Sequence, residues 1–265
     1  MDHVLETAVA AARAGGEVLR ARLRHIGRVR AKTNEFDVVT DTDIAAGVEV
    51  VRTILERDPN AVIVIEEPEV YEITGIDEGT LDAERVWVID PLDGTTSYVH
   101  GFPCYSTSVA LLEDGQPVAG AVYNVPLDEV TYAARGQGAF LADTCLHCTD
   151  ADDLTHSLVI TGFPYDRGEL LTRQMEVFSA IVPIAEGVRR DGSAAVDCCH
   201  VAAGRADAFW EFGLKPWDMA AGVIALREAG ATVTGIDGEP WTARSTGIIA
   251  AGPNLHGILT RIICA

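Results

Sequence analysis

The chain has 265 residues, 48% of them hydrophobic, with 40 acidic against 20 basic side chains and a formal net charge of -20. That length and composition describe an ordinary folded protein of one large domain or two compact halves, and exclude a disordered or fibrous chain. The acidic balance disfavours direct nucleic-acid binding. It would repel a phosphorylated substrate too, so such a substrate would need cations bound at its site.

The first residues lack a basic region followed by an apolar run, so no signal peptide is expected. No apolar stretch approaches the ~18 residues needed to span a bilayer. A soluble, cytoplasmic protein without a membrane partner is the expectation.

Leu5, Val9, Ala12, Gly16, Leu19 and Leu23 recur at helical spacing and predict a helix over 2–24. A polar loop follows with Lys32, Thr33, Asn34 and Glu35. A second helix is predicted from Asp41, with Ile44, Val48, Val51 and Leu55 on one face and Pro59 closing it. Residues 61–65 and 86–89 are short apolar runs rich in β-branched residues and predict buried strands, separated by a loop. Strands at 108–112, 117–124 and 130–134, joined by tight turns such as Asp114-Gly115, predict an antiparallel meander. Beyond about residue 142 the pattern alternates again. Strands are predicted at 158–161, 208–211, 232–234 and 247–250, and helices at 169–180, 194–203, 219–229 and 255–262. The chain thus divides into an α+β half, 1–141, and an α/β half, 142–265.

The informative feature is where the acids fall. Glu66 and Glu67 end one buried strand, and Asp90-Pro91-Leu92-Asp93-Gly94-Thr95-Thr96 ends the other. Asp218 opens an apolar helix in Trp217-Asp218-Met219-Ala220-Ala221-Gly222, and Asp41 and Asp43 open an earlier one. Carboxylates gathered inside a fold repel one another and resist desolvation, so such a cluster calls for cations. Oxygen donors without paired His or Cys favour magnesium, manganese or calcium over zinc. Gly94-Thr95-Thr96, opening a helix, can present backbone N–H groups to a phosphate. Plainer readings stand beside these. Thr40 to Asp43 fits a capping box, Asp218 a helix cap, and Asp93-Gly94 a turn. Cys145 and Cys148 have the spacing of half a zinc site. No second spaced pair completes it, and the six cysteines read as reduced thiols packed in the protein.

At these residues the sequence resembles the inositol monophosphatase family, within the wider group of lithium-sensitive, metal-dependent phosphatases. Asp90 to Thr96 matches the signature D-P-[IL]-D-G-T-x, and Trp217 to Gly222 matches W-D-x-A-A-G. Ile65, Pro68 and Ser97 depart from the family's usual residues without removing an expected ligand. The resemblance implies a layered α/β/α/β/α sandwich, a homodimer, and magnesium as cofactor, two or three ions. It implies Glu66, Asp90, Asp93, Asp218 and the carbonyl of Leu92 as metal ligands. Thr95, with Asp43 behind it, and Glu67 become the catalytic groups that align and deprotonate water. Asp93, Gly94, Thr95, Ser193, Ala194 and Glu211 become the substrate contacts. Myo-inositol monophosphate is the expected substrate, because Glu211 suits a polyol and Gly192-Ser193-Ala194-Ala195 after Arg189-Arg190 resembles the bacterial members. Fructose 1,6-bisphosphate, PAP, NADP and histidinol phosphate remain alternatives, as does a regulatory protein-binding role. A calcium-stabilised structural domain would leave Gly94-Thr95-Thr96 without a task.

Overall fold

The computed structural model describes residues 3–32 and 34–265. The first half comprises helix α1 (His3–Arg22), strands β1 (Val29–Ala31) and β2 (Val38–Thr40), helix α2 (Asp41–Arg57), strand β3 (Ile63–Ile65), helix α3 (Glu69–Thr74), strand β4 (Arg85–Asp93) and helix α4 (Thr95–His100). The meander follows as β5 (Ser106–Glu113), β6 (Gln116–Asn124), β7 (Glu129–Ala134), β8 (Gly138–Leu141) and β9 (Thr144–Cys145). The rest is β10 (Leu158–Thr161), α5 (Glu169–Ile181), β11 (Gly187–Arg189), α6 (Ala194–Ala202), β12 (Ala208–Phe212), α7 (Pro216–Glu228), β13 (Thr232–Thr234), β14 (Gly247–Ala251) and α8 (Pro253–Ile263).

Several short elements were not anticipated, among them β8 and β9, which extend the meander. The polar loop around Lys32 is the tip of an antiparallel β1–β2 hairpin; Thr33, named in that loop, lies outside the described residues. The connection between β3 and β4 contains α3, and β11 is an edge strand. Strands of three residues carry too little alternation to read, and their pairing is a tertiary event.

The strands form a seven-stranded sheet in the order β3-β4-β5-β6-β7-β8-β9 and a five-stranded sheet in the order β11-β10-β12-β14-β13. In the larger sheet only β3 and β4 run parallel. Helices α1 and α2 cover its outer face, α6 and α7 lie between the two sheets, and α5 and α8 cover the far face of the smaller sheet. The result is an α/β/α/β/α sandwich in which one continuous apolar core surrounds the middle helices and reaches both sheets, and two further cores lie under the outer helical layers. Small residues set the layer spacing. A Cβ on Gly16 of α1 would lie 2.1 Å from the Tyr123 ring of β6, and one on Gly222 of α7 would lie 2.4 Å from Cys198 Cβ of α6. The glycine of the second signature therefore serves close helix packing. Asp218 is the part of that signature with chemical capacity.

Candidate active site

The parallel pair β3–β4 delivers the first acids. Ile65 pairs with Ile89, and the Glu66 amide donates to the Ile89 carbonyl at 3.1 Å, so both chains leave the sheet side by side. Along β4, residues three apart would point to opposite faces in a regular strand. Here Asp90 pairs with Ser108 while Asp93 pairs with Ser106, so one extra residue is accommodated on β4. Such a bulge restores both acids to one side. It is held by the Leu92 amide donating to Asp90 Oδ1 at 3.0 Å and by Thr107 Oγ1 donating to the Pro91 carbonyl at 2.9 Å. Gly94 follows with φ of 94°; a Cβ there would meet the carbonyl oxygens of Cys104 at 2.8 Å and Gly192 at 3.0 Å, so glycine alone fits.

Glu66, Asp90, Leu92, Asp93, Gly94 and Thr95 line one cavity together with Ala194, Glu211 and Asp218. Asp43, Glu67 and Ser193 stand behind that wall and act on its members. Ser193 Oγ donates to Asp93 Oδ2 at 2.6 Å and the Ala195 amide donates to the same oxygen at 2.8 Å, tying the start of α6 to the β4 loop. Asp218 Oδ2 accepts from the Lys215 amide at 2.7 Å. Asp218 is therefore not the N-cap that the plainer reading made it: Lys215 is, and Asp218 at the third helical position bonds back to it while also lining the cavity.

Asp43 likewise does two things. Its Oδ2 accepts from Thr40 N at 3.0 Å and from Thr40 Oγ1 at 2.5 Å, completing a capping box on α2. Its Oδ1 accepts from Thr95 Oγ1 at 3.0 Å across the layers. The Thr95 hydroxyl also lies 3.1 Å from the Leu92 carbonyl, and its single proton can serve only one of the two at a time. Burial, opposed by the Thr40 hydrogen bonds, pushes the Asp43 carboxyl up to about 6.

Burial and mutual repulsion govern the other acids. Burial first, then Glu66, Asp93 and Asp218, hold Asp90 well above the usual carboxylate range. Burial followed by Asp93 and Glu66 does the same to Asp218. Burial raises Asp93 to about 6 against the hydrogen bonds from Ser193 and Ala195. Glu211 reaches about 8 through burial and Asp93, with Arg190 opposing. A Cβ on Gly162, at the end of β10, would lie 2.1 Å from the Glu211 carboxylate, so this glycine makes its room.

Lys32 was not among the candidate site residues. Its Nζ donates to Glu66 Oε1 at 2.6 Å and to Glu67 Oε1 at 2.5 Å. Burial alone would lower this ammonium, but the two glutamates outweigh it and hold it protonated well above its usual range. Glu67, buried beside Glu66 and Lys32, is raised to about 8, burial being the largest cause. No sequence pattern marks Lys32, because only the β1–β2 hairpin brings it to the acids. Asp37, Phe163 and Tyr165 also line the cavity from loops without a motif, and Arg190 lines it from just before Gly192-Ser193-Ala194-Ala195.

The donors that reach the cavity are carboxylate and carbonyl oxygens. Among the described residues, no three His, Cys, Asp or Glu side chains are gathered closely enough to hold one ion. Magnesium does not need that: it takes one or two carboxylates and completes its shell with water and substrate phosphate. Acids raised by one another's charge are what a dication would relieve. The donor set therefore fits hard divalent cations.

The sequence matches the inositol monophosphatase family over residues 1–265. The chain belongs to the inositol monophosphatase family. It is 36% identical over 266 residues to a Neisseria meningitidis protein described as a putative Nus factor SuhB, covering 100% of this chain and 99% of that one. It is 35% identical over 261 residues to an inositol-1-monophosphatase of Synechocystis, covering 98% of this chain and 88% of that one. Among solved structures, the SuhB protein of Bartonella henselae superposes with a TM-score of 0.89 at 32% identity, over 99% of this chain and 98% of that one. Membership of this family indicates phosphatase chemistry and a small phosphorylated substrate.

Proposed function

We propose that this protein hydrolyses a small phosphate monoester with magnesium, and that the alcohol released is a polyol of the inositol type. The observation that carries the reading is the Thr95–Asp43 pair. A hydroxyl on the cavity wall donates to a buried carboxylate at 3.0 Å, two residues beyond the bulge that presents Asp90 and Asp93.

Glu66, Asp90, Asp93, Asp218 and the Leu92 carbonyl would hold the ions. Bound magnesium supplies positive charge to the phosphoryl oxygens and makes water a better nucleophile. The Thr95 hydroxyl, donating to Asp43, turns a lone pair to an attacking water, and Asp43 takes up the proton that Thr95 relays. With its carboxyl raised to about 6, Asp43 is matched to that work near neutral pH. The backbone at Gly94 and Thr95 holds the phosphate, and Glu211 with the start of α6 receives the polyol hydroxyls. The water oxygen joins phosphorus as the ester P–O bond breaks, and the alcohol leaves with a proton. Positioning and electrostatics carry the acceleration, as in other phosphoryl transfers.

The test is phosphate release from inositol 1-phosphate, fructose 1,6-bisphosphate, PAP, NADP and histidinol phosphate in magnesium. Inositol 1-phosphate is expected to give the highest kcat/KM. Preference for another compound would move the substrate assignment, and no release from any would remove the enzymatic reading. The Neisseria relative's description favours a second reading, a protein-binding role beside catalysis. Its partner surface would be basic, to complement a chain of net charge -20.

A further inference from the structure

Strand β5 runs beside the bulge and begins with hydroxyls where a sheet core would ordinarily carry apolar side chains. Ser106, Thr107 and Ser108 are all buried. In the β4–β5 ladder Ser106 lies opposite Asp93 and Ser108 opposite Asp90, so the two serines neighbour the acids that the bulge presents. Residues two apart on a strand share a face, and the contacts agree. Ser106 Oγ lies 3.2 Å from Ser193 Oγ at the start of α6, and Ser108 Oγ donates to the Trp217 carbonyl at the start of α7 at 3.1 Å. Thr107, on the other face, donates to the Pro91 carbonyl inside the bulge.

The partners decide which serine donates. Ser193 has one hydroxyl proton, and an ionised carboxylate only accepts. The 2.6 Å bond from Ser193 Oγ to Asp93 Oδ2 takes that proton, so Ser106 donates to Ser193. The chain of bonds therefore runs one way, from Ser106 through Ser193 to Asp93. The Ala195 amide is a second donor to the same Asp93 oxygen, at 2.8 Å. Ser193 also occupies the N-cap position of α6, yet its side chain makes no capping hydrogen bond. A serine at that position ordinarily turns its oxygen to the amides of the first helical turn. Here the hydroxyl serves Asp93 instead, and the Ser106 proton is what holds it away from the cap. Ser106 has no exposed surface, so bulk water cannot replace it as donor.

We infer that Ser106 is a positioning residue for the metal site: acting through Ser193, it fixes Asp93 by Oδ2 and so sets Oδ1 as the oxygen offered to a divalent cation. This rests on the magnesium phosphatase reading and deepens it. A carboxylate already held by one oxygen enters a cation's shell through the other with little rotational freedom left to lose. Without the Ser106 proton, Ser193 is free to turn toward the helix amides, and Asp93 loses one of its two anchors.

The test is calorimetric titration of magnesium into the wild type, Ser106→Ala, Ser193→Ala and the double variant. Phosphate release from inositol 1-phosphate and urea midpoints are measured alongside. Ser106→Ala is expected to weaken magnesium binding about fivefold and Ser193→Ala about tenfold. Because Ser106 acts through Ser193, adding Ser106→Ala to Ser193→Ala should change the affinity by less than about twofold. Half-activation of Ser106→Ala should need more magnesium in proportion, with kcat at saturation within about twofold of the wild type. A merely structural role would lower the urea midpoint and leave the affinity of the folded protein unchanged. An unchanged affinity in Ser106→Ala overturns the inference, as does the full loss recurring on top of Ser193→Ala. A wild type that binds neither magnesium nor manganese overturns it too. Coupled losses of affinity in a protein that releases no phosphate would uphold the role of Ser106 and remove the phosphatase reading alone.

Discussion

Asp197 lies fully buried in α6, and neither of its carboxylate oxygens has a hydrogen-bond partner among the described residues. Burial first, then the charges of Glu211, Asp191 and Asp93, hold this carboxyl well above its usual range. A group whose folded pKa lies above its unfolded value destabilises the fold as pH rises from the unfolded pKa, near 4, toward the folded one. Urea midpoints from pH 5 to 8 should therefore show the wild type losing stability relative to Asp197→Asn. Parallel pH profiles would mean that Asp197 is ionised and solvated in the native state. At this scale the acids were legible and their supporters were not. Asp90, Asp93 and Asp218 sit in motifs whose spacing survives in one dimension. Lys32, Gly162 and Arg190 meet the acids only through the fold. Asp43 shows that a capping role leaves room for a second contact, because its two oxygens serve different partners.

The elements that carry the acids are positioned by close approaches between helices and sheet. Gly222 lets α7 rest on α6, and Gly120 of β6 lets the same helix rest on the sheet, where a Cβ would lie 2.9 Å from Ala221 Cα. Because α7 carries Asp218 and α6 carries the groups that anchor Asp93, this contact sets the distance between two parts of the site. Gly222→Ala should cost about 1–3 kcal/mol through overpacking, despite alanine's better helix propensity, as read from urea denaturation. A variant as stable as the wild type would show that α6 and α7 yield without strain. The long helices and the meander could be read from periodicity, since each has enough residues to repeat a pattern. The β1–β2 hairpin, α3 and β11 could not, being too short to show one. The bulge in β4 was likewise hidden: the sequence places Asp90 and Asp93 three apart and does not say that an added residue turns them to the same side.

Over the whole molecule, the two sheets and three helical layers bring residues from opposite ends of the chain to one cavity. Glu66 and Asp90 come from the larger sheet, Glu211 from the smaller one, and Asp218 from the layer between. Alternation of strands and helices pointed to a mixed architecture, and the family resemblance supplied the layer order. Neither showed which edges meet at the site. The negative charge read from composition has its local counterpart here, in acids that raise one another and call for divalent cations. Phosphate release from inositol 1-phosphate, followed against magnesium concentration for the wild type and Asp93→Asn, tests this directly. The account predicts negligible release without magnesium, saturable activation with it, and a loss of about 100-fold or more in Asp93→Asn with an unchanged circular dichroism spectrum. Magnesium-independent hydrolysis, or an Asp93→Asn variant near the wild-type rate, would contradict it.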